Sequence, residues 1–466
     1  MRILFVASEV YPYSKTGGLA DVAGALPRAL TRLGLEVLVV APWYAGLRAD
    51  PPPLWIGDVE APFFGGFAPV GVGTLEADGV RYAFVGHDDF RRDAPYGYDD
   101  DVRRFARFTR AVPAVAERVG FRPDVVHAHD WHAGYLPLVL RHGWHLPDGW
   151  PGLPSVFTVH NLQYQGISGL DETVHWLRLP ASAKATGMDH FGTANAMQAG
   201  LDACDRITTV SPSYAHEIQR PEYGHGLDGT LRHLSHKLTG ILNGLDTDVW
   251  DPSRDPLLPA PYDADDTSGK VEAARVLRAE LGLDAGGPIL GAVSRFADQK
   301  GIDVLLDAAP ALLARGWRLA LLGSGDPELE RRARALAEAQ PGVAGVRIGY
   351  AEDLAHRIYA GSDALVVPSR FEPCGLSQLI AMRYGTLPVA RATGGLRDTI
   401  RHGETGFLYD HADASGLLWA AEEARRALQG ARAATMRRAA MRQDFSWSRS
   451  AETYRALYRD VREARP

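Results

Sequence analysis

The sequence predicts an α/β protein built from two doubly wound parallel sheets. Three observations carry this. Short, wholly apolar runs recur along the chain, and each ends in a polar or glycine-bearing loop. Stretches with a 3.6-residue apolar period separate them, which is the βα alternation of sheets buried on both faces. The alternation breaks at 251–269 and then restarts, dividing 466 residues into two cores of ordinary size.

Residues Ile3 to Ala7 form the first apolar run and predict a central strand. A polar loop follows, then a helical stretch from Leu19 to Leu33 and a second strand from Leu35 to Ala41, which completes a βαβ unit. Segment 69–86 alternates and holds glycine pairs, so an antiparallel elaboration is expected. Phe105, Phe108, Val112 and Val115 mark one face of a helix. Strands are expected at 124–129 (DVVHAH) and 155–160 (SVFTVH). The stretch 251–269, rich in Pro, Asp and Gly, reads as an interdomain linker between an N-terminal domain, 1–250, and a C-terminal domain, 270–445. Beyond it, strands at 288–295, 318–325, 346–350, 363–369 and 386–391 alternate with helices, including 301–316 and 327–339. Tyr454, Leu457, Tyr458 and Val461 stripe a final helix in 446–466.

Composition excludes several function classes. The apolar fraction of 46% and charged fraction of 23% are those of a globular protein. A net charge of -7 with no long basic run argues against a nucleic-acid partner. The two cysteines, Cys204 and Cys374, form neither a disulfide framework nor a cysteine zinc site. The first apolar run ends at Glu9, too short for a signal-peptide core, and no stretch reaches the ~20 residues of a spanning helix. A soluble cytoplasmic protein with no membrane partner is expected.

In doubly wound folds, ligands bind beyond the carboxyl ends of the strands. Candidate ligand-binding residues are therefore those at the strand ends. KTGGLADV (15–22) follows the first strand, where Gly17 and Gly18 admit a close ligand, the next helix offers N–H groups, and Lys15 adds a charge. It lacks the order of a Walker loop. SRFADQKG (294–301) sets Arg295 and Lys300 past a strand end, where two cations could clamp a diphosphate at roughly 1.5–3 kcal/mol per charge-assisted bond. A solvated basic loop is the plainer alternative. HAHDWHAG (127–134) has H-x-H-x-x-H spacing, which admits a metal, but a polar loop that binds sugar hydroxyls through Asp130, with Trp131 packed on a ring or in the core, is preferred. Bare D-x-D patterns at 246–248 and 263–265 carry little weight in an acidic chain. TVHN (158–161) ends a strand in His160 and Asn161. GSGDPELE (323–330) suggests a Rossmann turn without its third glycine. SRFEPCGLSQL (369–379) is the most distinctive: Glu372, an extended Pro373, then Cys374, Gly375 and Leu376 opening a helix. TGGL (393–396) is a second glycine-rich helix start.

Together with FTVHNLQYQG, NGLDTDVW, YGTLPVARATGGLRDT and ETGF, these segments resemble, in order, the bacterial glycogen and plant starch synthases, glycosyltransferase family five. The resemblance runs from residue 15 to about 407. It implies a GT-B fold, two Rossmann-like domains facing a central cleft, with the last helix crossing back to the N-terminal domain. It implies ADP-glucose as donor, sometimes UDP-glucose, an α-1,4-glucan such as glycogen or a maltooligosaccharide as acceptor, retention of configuration, and neither cofactor nor metal. By position, Lys15, Gly17 and Gly18 would approach the donor diphosphate, with Arg295 and Lys300 holding it from the second domain. Cys374, Gly375 and Leu376, and Thr393, Gly394 and Gly395, would also approach phosphate. Tyr350 would stack near the base. Glu372, Asp130, Asn243 and His160 would surround the transferred glucose, with Asp21 and Tyr96 as further sugar-site candidates and Trp131 on the acceptor side. Between RDTI and ETGF lie only Arg401, His402 and Gly403, where many relatives carry a longer insertion.

Three other readings compete: a sucrose- or trehalose-phosphate-type synthase, a UDP-glucose-dependent glucosyltransferase, and a glucan- or nucleotide-sugar-binding GT-B protein without catalysis. The presence of Lys15, Arg295, Lys300 and Glu372 argues against the last.

Overall fold

A computed structural model describes residues 1–430 and 432–464. The chain forms two compact units, Met1–Gly244 with Trp447–Pro466, and Leu245–Ser446.

Unit 1 is built on a nine-stranded sheet whose strands are β1 (Arg2–Val6), β2 (Glu36–Pro42), β3 (Leu54–Phe63), β4 (Gly66–Ala77), β5 (Val80–Gly86), β6 (Val125–His129), β7 (Ser155–Val159), β11 (Arg206–Thr209) and β12 (Leu238–Gly240). Between them, β8 (Ile167–Gly169), β9 (Asp189–His190) and β10 (Thr193–Asn195) make a small separate sheet. The large sheet runs β12-β11-β7-β6-β1-β2-β5-β4-β3. It is parallel from β12 to β5, while β4 pairs antiparallel with both β5 and β3. The antiparallel elaboration expected at 69–86 is therefore present, although β5 itself joins β2 in parallel. Ile3, Leu4, Phe5 and Val6 are all fully buried, as expected for a strand covered on both faces.

The helix Trp447–Glu463 turns Trp447, Ala451, Tyr454, Tyr458 and Val461 into the same core as β1 and the helix Gly18–Arg32. Its apolar stripe thus finds its partner in the unit where the chain began.

Unit 2 carries β13 (Ile289–Val293), β14 (Arg318–Gly323), β15 (Ala344–Ile348), β16 (Ala364–Val367), β17 (Leu387–Arg391) and β18 (Phe407–Tyr409). All pair in parallel, in the order β15-β14-β13-β16-β17-β18. The strand order reverses beside β1 in unit 1 and beside β13 in unit 2, which marks the carboxyl ends of β1/β6 and β13/β16 as ligand crevices.

The stretch 251–269 is not a free linker. Asp255 is buried and accepts from the Tyr384 hydroxyl at 2.6 Å, with His356 Nδ1 at 2.7 Å. Tyr262 is buried and donates to the Tyr384 carbonyl at 2.9 Å. The segment is part of unit 2, and the chain passes between units at 244/245 and again at 446/447. Its composition is that of a loop, but buried polar partners fix it.

Candidate active site

In unit 2 the turn after β13 lies against the loop after β16. Gly301 makes this approach possible: its φ is 62°, and a Cβ there would fall 2.1 Å from the Pro368 carbonyl oxygen. Lys300, one residue earlier, then donates to Glu372 Oε2 at 2.6 Å, and Ser369 Oγ donates to the same oxygen at 2.8 Å. Glu372 is only 5% exposed, so its charge is held by these two donors. Arg370 braces the loop with a bidentate pair to Asp303, at 2.8 and 2.6 Å. Arg295 is exposed and makes no ion pair among the described residues. The chain turns at Gly375, and the helix Ser377–Arg383 begins after Leu376. The N–H groups of Gly375 and Leu376 have no acceptor among the described residues. The second glycine turn is tied to the first, because Gly395 N donates to the Glu372 carbonyl at 3.0 Å.

In unit 1 the ends of β1, β6 and β7 converge. Asp130, just beyond β6, has a φ of 55°. That backbone is costly for a residue with a side chain, and three hydrogen bonds hold it. Its N–H donates to the Thr158 carbonyl at 2.9 Å, and its Oδ1 accepts from the N–H groups of His160 at 2.7 Å and Asn161 at 3.3 Å. Burial nevertheless pushes the Asp130 carboxyl up to about 7. His129 Nδ1 and His160 Nε2 share a hydrogen bond of 2.9 Å. Burial pulls the His160 imidazole down to about 3 and lowers that of His129 as well. Both rings thus stay neutral at ordinary pH. His127 is held by the Tyr458 hydroxyl at 2.7 Å and the Thr158 hydroxyl at 2.6 Å. Among the described residues no group of three or more His, Cys, Asp or Glu side chains is arranged to hold a metal.

Residues 2–233 match the family model described as starch synthase catalytic domain, and residues 287–426 match glycosyl transferases group 1. The chain is 49% identical to a glycogen synthase of Deinococcus radiodurans, covering 99% of this chain and all of the relative. It is 45% identical to a glycogen synthase of Thermus thermophilus over 99% of this chain and 100% of that one. The chain belongs to the glycogen and starch synthase family. The catalytic domain of starch synthase IV from Arabidopsis thaliana, solved bound to ADP and acarbose, superposes with a TM-score of 0.92 at 33% identity, with 99% of each chain covered. A sucrose-phosphate synthase from Thermosynechococcus elongatus shares the fold, with a TM-score of 0.63 at 20% identity. The fold is GT-B, and the chain is a glycosyltransferase.

Lys15 is paired with Asp21 at 2.7 Å. The N–H groups of Thr16 and Gly17 are taken by Glu9, which also accepts from Thr16 Oγ1 at 2.8 Å. Glu9 is a residue of this loop that the sequence pattern leaves unmarked; a lone carboxylate ending the first apolar run is its one local signal. Burial raises it to about 7, like Asp130. Trp131 does not present a free ring to an acceptor: it is 9% exposed, lies stacked on His132, and meets Phe105 edge-on. Tyr96 shares a hydrogen bond of 2.7 Å with the Ser8 hydroxyl, its ring against His132. Asn243 is buried, and its Oδ1 has no hydrogen-bond partner among the described residues. Tyr350 stands 76% exposed beyond β15, its hydroxyl on Glu352 at 3.1 Å. Thr393 N and Gly395 N already bond protein carbonyls, so neither is an anion donor in this state. The D-x-D patterns are turns: Asp246 and Asp263 accept from backbone N–H groups two or three residues on.

Proposed function

We propose that the chain transfers glucose from ADP-glucose to the non-reducing end of an α-1,4-glucan with retention of configuration. The Lys300–Glu372 pair carries this reading. A buried carboxylate held by a lysine and a serine hydroxyl keeps one face for sugar hydroxyls while the lysine keeps N–H capacity for a phosphate oxygen. Arg295 and the N–H groups of Gly375 and Leu376 add donors on the same strand ends of unit 2. As the C1–O bond breaks, the diphosphate gains charge and the sugar becomes oxocarbenium-like. Donors fixed in advance stabilise that state more than the ground state. A front-face route, in which the departing phosphate assists deprotonation of the incoming 4-hydroxyl, needs no side-chain base. In unit 1, Asp130, His160 and Asn243 offer hydrogen bonds to sugar hydroxyls. The relatives' names support the glucan acceptor, and the ADP bound to the starch synthase IV neighbour supports adenine over uracil. No metal is required on this reading, so full activity in EDTA is expected. No helix among the described residues is long and apolar enough to cross a membrane. Two buried thiols, Cys204 and Cys374, that form no disulfide support a cytoplasmic place.

The test is nucleotide release from purified protein with glycogen, run in parallel with ADP-glucose and UDP-glucose and without acceptor. Glycogen-dependent ADP release is expected. Release of UDP alone would move the donor, and silence with both would favour the non-catalytic binding protein.

A further inference from the structure

Gln378 is fully buried on the helix Ser377–Arg383, one turn behind the glycine turn. Its Nε2 lies 3.0 Å from the Cys374 carbonyl oxygen, 2.9 Å from that of Gly375, and 3.3 Å from Thr399 Oγ1. Thr399 Oγ1 in turn donates to the Gly395 carbonyl at 2.6 Å. One amide group therefore ties both glycine turns together.

The peptide unit turns this contact into a directional one. In a planar trans peptide the N–H points opposite to the C=O of the preceding residue. With the Cys374 and Gly375 carbonyls both drawn inward to Gln378, the N–H groups of Gly375 and Leu376 must point away from it. Gly375 has a φ of 75°, and Leu376 follows at φ -106°, ψ -30°. A left-handed residue followed by a right-handed one sets successive N–H groups on one concave side, the geometry of a backbone anion nest. Gly375 is required for the same reason: a Cβ there would lie 2.3 Å from Gln378 Oε1.

We propose that Gln378 is a positioning residue that aims the Gly375 and Leu376 N–H groups at the anionic leaving group of the donor, a nucleoside diphosphate. The assignment rests on the donor reading above. Gln378 touches no substrate; it acts by holding two carbonyls. Without it, each peptide plane is free to turn, and the nest loses its common direction.

The experiment compares wild type with Gln378→Leu, which keeps the volume and removes both donors. ADP affinity is measured by calorimetry, and kcat and KM for glycogen by ADP release, with a thermal melt as control. Loss of the aimed donors should weaken ADP binding about 10-fold or more and lower kcat about 100-fold, with KM for glycogen within about twofold. A merely structural role would not separate ADP affinity from glycogen KM. A folded Gln378→Leu with wild-type ADP affinity and kcat overturns the proposal, as does an equal loss in both substrates. Gln378→Met, unbranched and also without donors, carries the same expectation should the leucine variant fail to fold. If wild type itself releases no ADP with glycogen, the donor reading has failed; if wild type is active and the variants match it, only the role of Gln378 has.

Discussion

Glu9→Gln should make unit 1 more stable at alkaline pH, against the usual expectation for removing a charge. Glu9 is 3% exposed, and burial raises its carboxyl from 4.5 to about 7. Between those values the folded state binds a proton that the unfolded state has released. Stability therefore falls as pH rises from about 4.5 to about 7, and is level on either side. The full cost to the folded wild type above pH 7 is about 3 kcal/mol. Glutamine keeps an oxygen for the Thr16 N–H and hydroxyl but cannot ionise. Its melting midpoint should exceed that of wild type by roughly 5–10 °C at pH 8.5 and match it at pH 4. Asp130, raised to about 7 chiefly by burial and further by the Glu9 charge, stays in both proteins, so the difference between the two curves reports Glu9 together with its coupling to Asp130. The assay is a set of thermal melts of both proteins from pH 4 to 8.5. A wild-type midpoint that rises with pH over this window, or a Glu9→Gln curve of identical slope, would refute the reasoning.

Other perturbations read the rest of the site. Lys300→Ala should lower kcat by about 10²–10³ by removing transition-state charge stabilisation, while costing folding only ~1.5–3 kcal/mol for the lost bond to Glu372; near-normal turnover in a steady-state assay would sink the assignment. Gly301→Ala places a Cβ 2.1 Å from the Pro368 carbonyl at a φ of 62°. It should cost at least about 1–3 kcal/mol in a urea titration and lower kcat by displacing Lys300. Asp255→Ala strips the buried His356 and Tyr384 of their shared acceptor and should destabilise unit 2 by about 3 kcal/mol or more, with little change in KM; an unchanged unfolding midpoint would return 251–269 to the status of a linker.

Much of this protein is legible in one dimension. A strand buried on both faces must be apolar throughout, so β1, β2, β6 and β7 announce themselves, as do the helices whose apolar residues repeat every 3.6 positions. Strand ends are where parallel sheets leave room for ligands, so Lys15, Asp130, His160, Arg295, Lys300 and Glu372 could be named from their neighbours in sequence. Partnership is a different matter. Glu372 and Lys300 are 72 residues apart, Asp255 and His356 101, and His127 and Tyr458 331, and nothing local encodes those meetings. A Pro- and Asp-rich stretch looks like a linker whether or not buried partners await it. The raised Glu9 and Asp130 carboxyls, the packed face of Trp131 and the inward pull of Gln378 all depend on what the fold brings around them. Residue type sets what a group can do; burial and distant partners, which only the tertiary structure supplies, decide what it does.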